Sequence, residues 1–85
     1  MSELTKIQNI GAELARRMKL AGINSLDDLK ELGSEEAWLR IREHTPQACI
    51  NNLMALEGAI QGIRWHNLDQ VYKNSLRTFY NEQSL

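Results

Sequence analysis

Apolar residues in this chain recur three or four positions apart, in short stretches that glycine, asparagine and serine interrupt. That spacing is typical of helices that bury one face, and no stretch alternates apolar and polar side chains as a half-buried strand would. Because the connections between the stretches are short, neighbouring helices must pack against one another. The pattern therefore predicts an all-α fold, a compact bundle of five or six short helices.

Breaker and capping residues set the expected helix boundaries, and 85 residues are enough for one domain, here 1–85. The tail, 81–85, is expected to fray. In chain order we expect a first helix at Leu4–Ile7, a second at Ala12–Ala21, a third and a fourth capped by Ser25 and Ser34, a fifth at Pro46–Ile63, and a sixth capped by Asn67.

The last two predicted helices carry long apolar stripes that we expect to face the core. On this view Cys49 is an inert buried thiol, and Trp38 and Trp65 cover the core. The stripes consist of Cys49, Ile50, Leu53, Leu56, Ile60 and Ile63 on the fifth helix and of Leu68, Val71, Tyr72, Leu76, Phe79 and Tyr80 on the sixth.

The side chains that most often carry catalysis are scarce in this sequence. His44, His66 and Cys49 are the only histidines and cysteine, and no phosphate-binding loop, zinc-protease motif or nucleophile elbow occurs. We therefore expect no enzyme, no catalytic residue, no metal and no cofactor. The chain also lacks an apolar run long enough for a signal core or a membrane span, so we expect a cytoplasmic protein without a membrane partner.

Charge is spread unevenly, although the net charge is only −1. Between positions 6 and 20 four basic residues face one acidic residue, whereas between 21 and 36 five acidic residues face one basic residue. A strongly basic nucleic-acid binder is thereby excluded, but a local basic patch is not.

The turn between the first two predicted helices is a candidate anion site. The N–H groups of Ile10, Gly11 and Ala12 precede a helix and lack helical acceptors, and the helix dipole favours an anion there. Arg16 and Lys19 share one helix face, whereas Arg17 is expected to pair with Glu13. The candidate nucleic-acid-binding residues are Lys6, Asn9, Ile10, Gly11, Ala12, Arg16 and Lys19.

Ile10-Gly11, followed by a helix and then by Ala21-Gly22-Ile23, resembles a helix-hairpin-helix unit. The resemblance implies binding to the nucleic-acid backbone without reading of sequence. Where that family usually has glycine this chain has Asn9, which can adopt the same left-handed backbone at some cost. The alternative is an ordinary capped helical hairpin that binds nothing.

A second resemblance covers Leu4 to Tyr80. The run 52–60 (NLMALEGAI), the following Gln61-Gly62, and Trp65 and Leu68 are similar to the C-terminal domain of the TfoX (Sxy) family. TfoX-type proteins are bacterial regulators of natural competence, so the resemblance implies a role in DNA transformation or transcription regulation. It also implies the partners: the DNA backbone, a transcription factor such as the cyclic-AMP receptor protein, or a separate TfoX N-terminal domain.

Small residues on the fifth helix predict a close helix contact, either inside the molecule or in a dimer. Glu57 beside them is either solvated or paired with Arg40, Arg42 or Arg64. The residues assigned to structure or interaction are Glu57, Gly58, Gly62, Arg64 and Trp65.

The charge pattern and the two resemblances favour two alternative functions. The first is a DNA-associated regulatory module that binds phosphates weakly through the hairpin at 8–12. The alternative is a protein-interaction adaptor in transcriptional regulation that does not itself bind DNA. A purely structural subunit is a third class, and we expect a monomer or weak homodimer.

Overall fold

A computed structural model describes residues 3–46 and 48–83, without the side chain of Glu3. Within these residues the chain forms no strand, so the predicted all-α class is confirmed. The helices number four, however, and not five or six. They are α1 (Ala12–Leu20), α2 (Leu26–His44), α3 (Ile50–Gln61) and α4 (Gln70–Gln83), with 3-10 turns at Glu3–Lys6 and Trp65–Asn67.

Two features of the backbone explain the lower number. The expected first helix is a 3-10 turn of 4 residues, too short to close a series of α-helical hydrogen bonds. The expected third and fourth helices are the two halves of α2, which bends at Gly33. Gly33 has φ 82° and ψ 161°, a combination nearly confined to glycine. The two halves are helical on either side of Gly33 and meet there without an intervening loop, so they are counted as one kinked element, α2.

The N-cap predictions have mixed outcomes. Ser25 does cap α2, because its Oγ accepts the Asp28 N–H at 3.1 Å. Thr45 instead ends α2, and its carbonyl accepts the Ala48 N–H at 2.9 Å, so a turn separates it from α3. Asn67 lies in the second 3-10 turn, since α4 begins only at Gln70. The predicted fifth and sixth helices therefore begin later than expected.

Helix α3 lies at the centre of the bundle, and α2 is its main neighbour. Leu53 and Leu56 of α3 are fully buried, as are Ile41 and Trp38 of α2. The Trp38 ring also meets Tyr80 of α4 edge to face at 5.5 Å between centroids. The core thus joins α2, α3 and α4 around one tryptophan, as expected for Trp38.

Two predictions of burial are wrong. Cys49 is exposed because it precedes α3 as its N-cap and does not lie on the helix's apolar face. Val71 and Tyr72 are 73% and 49% exposed, because the first turn of α4 extends beyond the part that packs on the core. The inward face of α4 is formed by Leu76, Phe79 and Tyr80.

Helix α4 continues to Gln83, and the last two residues of the tail predicted to fray lie outside the described residues. In the described part of the chain, no helix combines the length and the apolar character that crossing a bilayer requires.

Candidate nucleic-acid interface

The chain reverses between the first 3-10 turn and α1 through a short hairpin. Ile10 N–H donates to Ile7 O at 3.1 Å, and Asn9 has φ 74°. This is the left-handed backbone conformation that we expected of Asn9, because helix-hairpin-helix units usually have glycine at this position. Gly11 follows in extended conformation and is the N-cap of α1.

The Asn9 side chain is bound inside the molecule and does not face a ligand. Its Nδ2 donates to Ile63 O at 2.7 Å, and its Oδ1 accepts the Trp65 N–H at 3.0 Å. Gly58 of α3 lies directly beside it, because a Cβ at position 58 would be 2.5 Å from Asn9 Nδ2. The Asn9 side chain is thus occupied within the molecule, and the assignment of Asn9 to nucleic-acid binding stays a prediction.

The candidate main-chain donors are reduced from three to two. Ile10 is excluded, because its N–H is already bonded to Ile7 O and its side chain is buried. Gly11 and Ala12 are exposed, and neither N–H meets an acceptor within residues 3–46 and 48–83. No side chain caps α1, so these two groups remain open at the positive end of its dipole.

Glu13 forms ion pairs with both Arg16 and Arg17, whereas only Arg17 was expected to pair with it. Arg16 Nη2 lies 2.7 Å from Glu13 Oε1, and Arg17 Nε lies 3.3 Å from the same oxygen. Arg17 also donates to Asn52 Oδ1 at 3.0 Å, which ties α1 to α3. The hydrogen bond from Arg16 lowers the pKa of the Glu13 carboxyl and raises the pKa of Arg16 itself.

A shallow groove of ≈ 250 Å³ runs along the exposed face of α1. Ala12, Arg16 and Lys19 line it together, because they are spaced by three or four positions. Lys6 is exposed but does not line this groove. Neither Lys6 nor Lys19 forms an ion pair with any described residue.

Sequence reasoning missed the neighbours that the fold brings to the hairpin. A second cleft of ≈ 360 Å³ is lined by Gln8 and Asn9 on one side and by Arg64, Trp65 and His66 on the other. His66 stacks on Trp65 with ring centroids 4.0 Å apart. Arg64 was assigned to structure or interaction, and the two Asn9 bonds to Ile63 and Trp65 place it beside the hairpin. No local signal could show this, because the paired residues are more than 50 positions apart.

Among the described residues, no arginine forms an ion pair with Glu57. Its two oxygens accept hydrogen bonds from Ser34 Oγ and Gln61 Nε2, each at 2.7 Å. Of the three arginines considered as partners, Arg40 donates to Glu36, and Arg42 Nη1 donates to Gln83 O on α4 at 3.0 Å.

The small residues of α3 also separate into two roles. Gly58 makes the close approach, whereas Gly62 is the left-handed C-cap at φ 74° with open space around it. The contact at Gly58 is made inside the molecule, with the loop that follows α3 and with the hairpin.

His, Cys, Asp and Glu side chains form no group of three suited to a metal ion in the described residues. What the arrangement offers is two open N–H donors beside Arg16 and Lys19, which together suit an anion.

Two crystal structures resemble this fold closely. An uncharacterized protein from Listeria monocytogenes, in a triclinic form, is 44% identical, with a TM-score of 0.93 over 95% of this chain and 92% of that one. A protein of unknown function from Listeria monocytogenes, in a tetragonal form, is 46% identical, with a TM-score of 0.90 over 93% of this chain and 98% of that one. No curated protein matches the chain.

The model of the TfoX C-terminal domain matches residues 1–80, nearly the whole chain. This match confirms the resemblance that the run at 52–60 and the two glycine segments predicted. The chain belongs to the TfoX C-terminal domain family.

Proposed function

We propose that this chain is a non-enzymatic regulatory module of the TfoX type that associates with DNA through the phosphate backbone. The observation that carries the proposal is the pair of open N–H groups of Gly11 and Ala12, beside the groove that holds Arg16 and Lys19. A phosphate at the start of α1 would accept from both amides while the cations approach its neighbours. The family membership supports a role in the regulation of competence.

The same electrostatics predict weak binding without sequence preference. Glu13 already neutralises part of the charge on Arg16, and the net charge of the chain is −1. Lys6, Arg16 and Lys19 could neutralise three phosphates, which corresponds to a slope of about −3 for log affinity against log salt. Contacts to phosphates carry no sequence information, so a second domain or protein would supply specificity.

The proposal can be tested by titrating labelled duplex DNA at low and at moderate salt. The double variant Arg16→Glu, Lys19→Glu should abolish binding that the wild-type protein shows at low salt. The matched control is Lys30→Glu, Arg77→Glu, which makes the same change in net charge at two exposed residues away from the groove. Absence of wild-type binding at low salt, or equal losses in both double variants, would refute backbone binding at this groove.

A second variant tests the main-chain donors alone. Ala12 is the first residue of α1 and Gly11 before it is extended, so Ala12→Pro removes one N–H without disturbing either conformation. We expect weaker DNA binding with an unfolding free energy within about 0.5 kcal/mol of wild type. Ala12→Ser keeps the N–H and serves as the control. Equal DNA affinity of Ala12→Pro and Ala12→Ser would show that the amide takes no part.

A role as a protein-interaction adaptor is the second candidate. It is favoured by a groove far from α1 in sequence, in which a half-buried carboxylate lies next to exposed apolar side chains. That groove carries the inference that follows.

A further inference from the structure

The bend at Gly33 opens a groove of ≈ 370 Å³ between α2 and α4. Consecutive residues of α2, positions 32–35, line one side of it. In an unbroken helix neighbouring side chains diverge by about 100°, so four in a row could not face one groove. The non-helical Gly33 therefore shapes this surface.

Glu57 supplies a negative charge in the wall of the groove and is partly buried. Its two hydrogen bonds come from neutral donors, the Ser34 hydroxyl and the Gln61 amide, and no described cation forms an ion pair with it. A carboxylate can accept about four hydrogen bonds, so both oxygens retain capacity for a further donor. Glu35 adds a second, exposed carboxylate to the same lining.

Apolar surface adjoins these carboxylates. Tyr72 lines the groove although it is 49% exposed, and its neighbour Val71 is 73% exposed. Leu76, which is buried, lies at the inner end of the same helix face. Tyrosine next to apolar side chains is typical of protein–protein interfaces, and large exposed side chains of this kind otherwise lower solubility.

We propose that this groove binds a basic segment of a partner protein. A lysine or arginine side chain of that segment enters between Glu35 and Glu57, and an apolar neighbour of it packs on Tyr72. Charge complementarity selects this occupant, because the two carboxylates repel nucleic acid and favour a cation. The proposal is independent of DNA binding at α1, since the two surfaces share no lining residue.

The experiment uses the intact chain, labelled with ¹⁵N, and a blocked pentapeptide of sequence LKALR at millimolar concentration. We expect saturable amide shifts at positions 32–35, 57 and 72–76. The control peptide LEALE keeps the leucines and the alanine but reverses the charge, and it should cause no shifts there.

Two variants test the carboxylates. Glu57→Gln keeps an oxygen that can accept from Ser34 but removes the charge, and we expect binding weaker by about fivefold. Glu35→Gln at the exposed position should also weaken binding, and it keeps the test valid if Glu57→Gln lowers stability. Glu43→Gln is the matched control, because Glu43 is exposed on the same helix and does not line the groove.

Three results would overturn the proposal. Equal binding of the two peptides would show that charge does not select the occupant. Unchanged affinity in both Glu57→Gln and Glu35→Gln would show that these carboxylates do not bind the cation. Shifts at the groove that depend on protein concentration without peptide would identify a second copy of the chain as the occupant.

Discussion

Asn9 occupies the position at which helix-hairpin-helix units usually carry glycine, and its side chain makes two hydrogen bonds that glycine lacks. The left-handed backbone, φ 74°, would suit glycine better. Asparagine tolerates it at a cost of about 1 kcal/mol and in return joins the hairpin to Ile63 and Trp65. The residue therefore stabilises the contact between the hairpin and the loop after α3.

We expect Asn9→Gly to lower the free energy of unfolding by about 1–2 kcal/mol, because two part-buried hydrogen bonds outweigh the relief of backbone strain. Asn9→Ala should lose about 1 kcal/mol more, since alanine gains neither bond and keeps the strain. Urea unfolding measures both. Gln8→Ala, at an exposed neighbour, is the control and should change stability by less than about 0.5 kcal/mol. An Asn9→Gly variant as stable as wild type would contradict this account.

Glu13 shows the effect of a charge pair on a single exposed carboxyl. The hydrogen bond from Arg16 lowers its pKa in the folded state, so the carboxylate stabilises the fold above the unfolded pKa, and this contribution is lost as pH falls through the folded value. NMR titration of the Glu13 carboxyl should give a pKa below its ordinary value. In Arg16→Gln the pKa should rise, while Lys30→Gln should leave it unchanged. The idea fails if Arg16→Gln and Lys30→Gln have the same effect.

At the scale of the element, the two glycines at positions 11 and 58 serve opposite purposes. Gly11 begins α1 in ordinary extended conformation with open space around it. Gly58 lies inside α3, where a Cβ would be 2.9 Å from Ile63 O and 3.0 Å from the Trp65 Cα. The absence of a side chain in α3 is what lets the loop after the helix, and the hairpin with it, approach so closely.

Helix propensity alone would predict that Gly58→Ala stabilises α3 by about 1 kcal/mol. We expect the opposite, a loss of about 1–3 kcal/mol, because the new methyl group meets backbone atoms that cannot move independently. Gly11→Ala should cost no more than about 1 kcal/mol, since nothing lies within 4 Å of its Cβ and the loss is only that alanine is a poorer N-cap than glycine. Thermal unfolding followed by circular dichroism measures both, and a Gly58→Ala protein that melts above wild type would refute the close contact.

At the scale of the whole molecule, each of the two tryptophans lies where segments that are distant in sequence come into contact. Trp38 is buried between α2 and α4, and its Nε1 donates to Cys49 O before α3 at 3.1 Å. The Trp65 N–H donates to Asn9 Oδ1 and so links the hairpin to the second 3-10 turn. Because α3 contacts both regions, neither can open without exposing apolar surface of the same central helix.

We therefore expect one cooperative unfolding transition. In Trp65→Phe the fluorescence reports Trp38 alone, and its urea midpoint should coincide with that of the helical signal in circular dichroism. In the wild-type protein, where Trp65 also contributes to the fluorescence, the urea midpoints from fluorescence and from circular dichroism should again coincide. An earlier fluorescence midpoint in the wild type than in Trp65→Phe would show that the hairpin detaches before the core unfolds.

Local patterns along the chain were sufficient for the fold class and for much of the element order. Apolar spacing predicted helices, Ser25 was identified as an N-cap, and Gly22 marked the end of α1, where it adopts φ 83°. The number of helices was wrong partly because two predicted helices meet directly at Gly33 and form one kinked element, α2. The starts of α3 and α4 were wrong because the Thr45 and Asn67 signals were outweighed by turns that pack against the core.

The sequence by itself determined that the chain is helical, that it begins with a basic hairpin, and that it belongs with TfoX C-terminal domains, because periodicity, capping and short motifs are properties of neighbouring residues. Tertiary structure alone decided that Asn9 faces Ile63, that Arg64 lies beside the hairpin, and that Ser34 holds Glu57. These pairs are 23 to 56 positions apart, and their approach depends on how several helices pack at once, which local spacing does not encode.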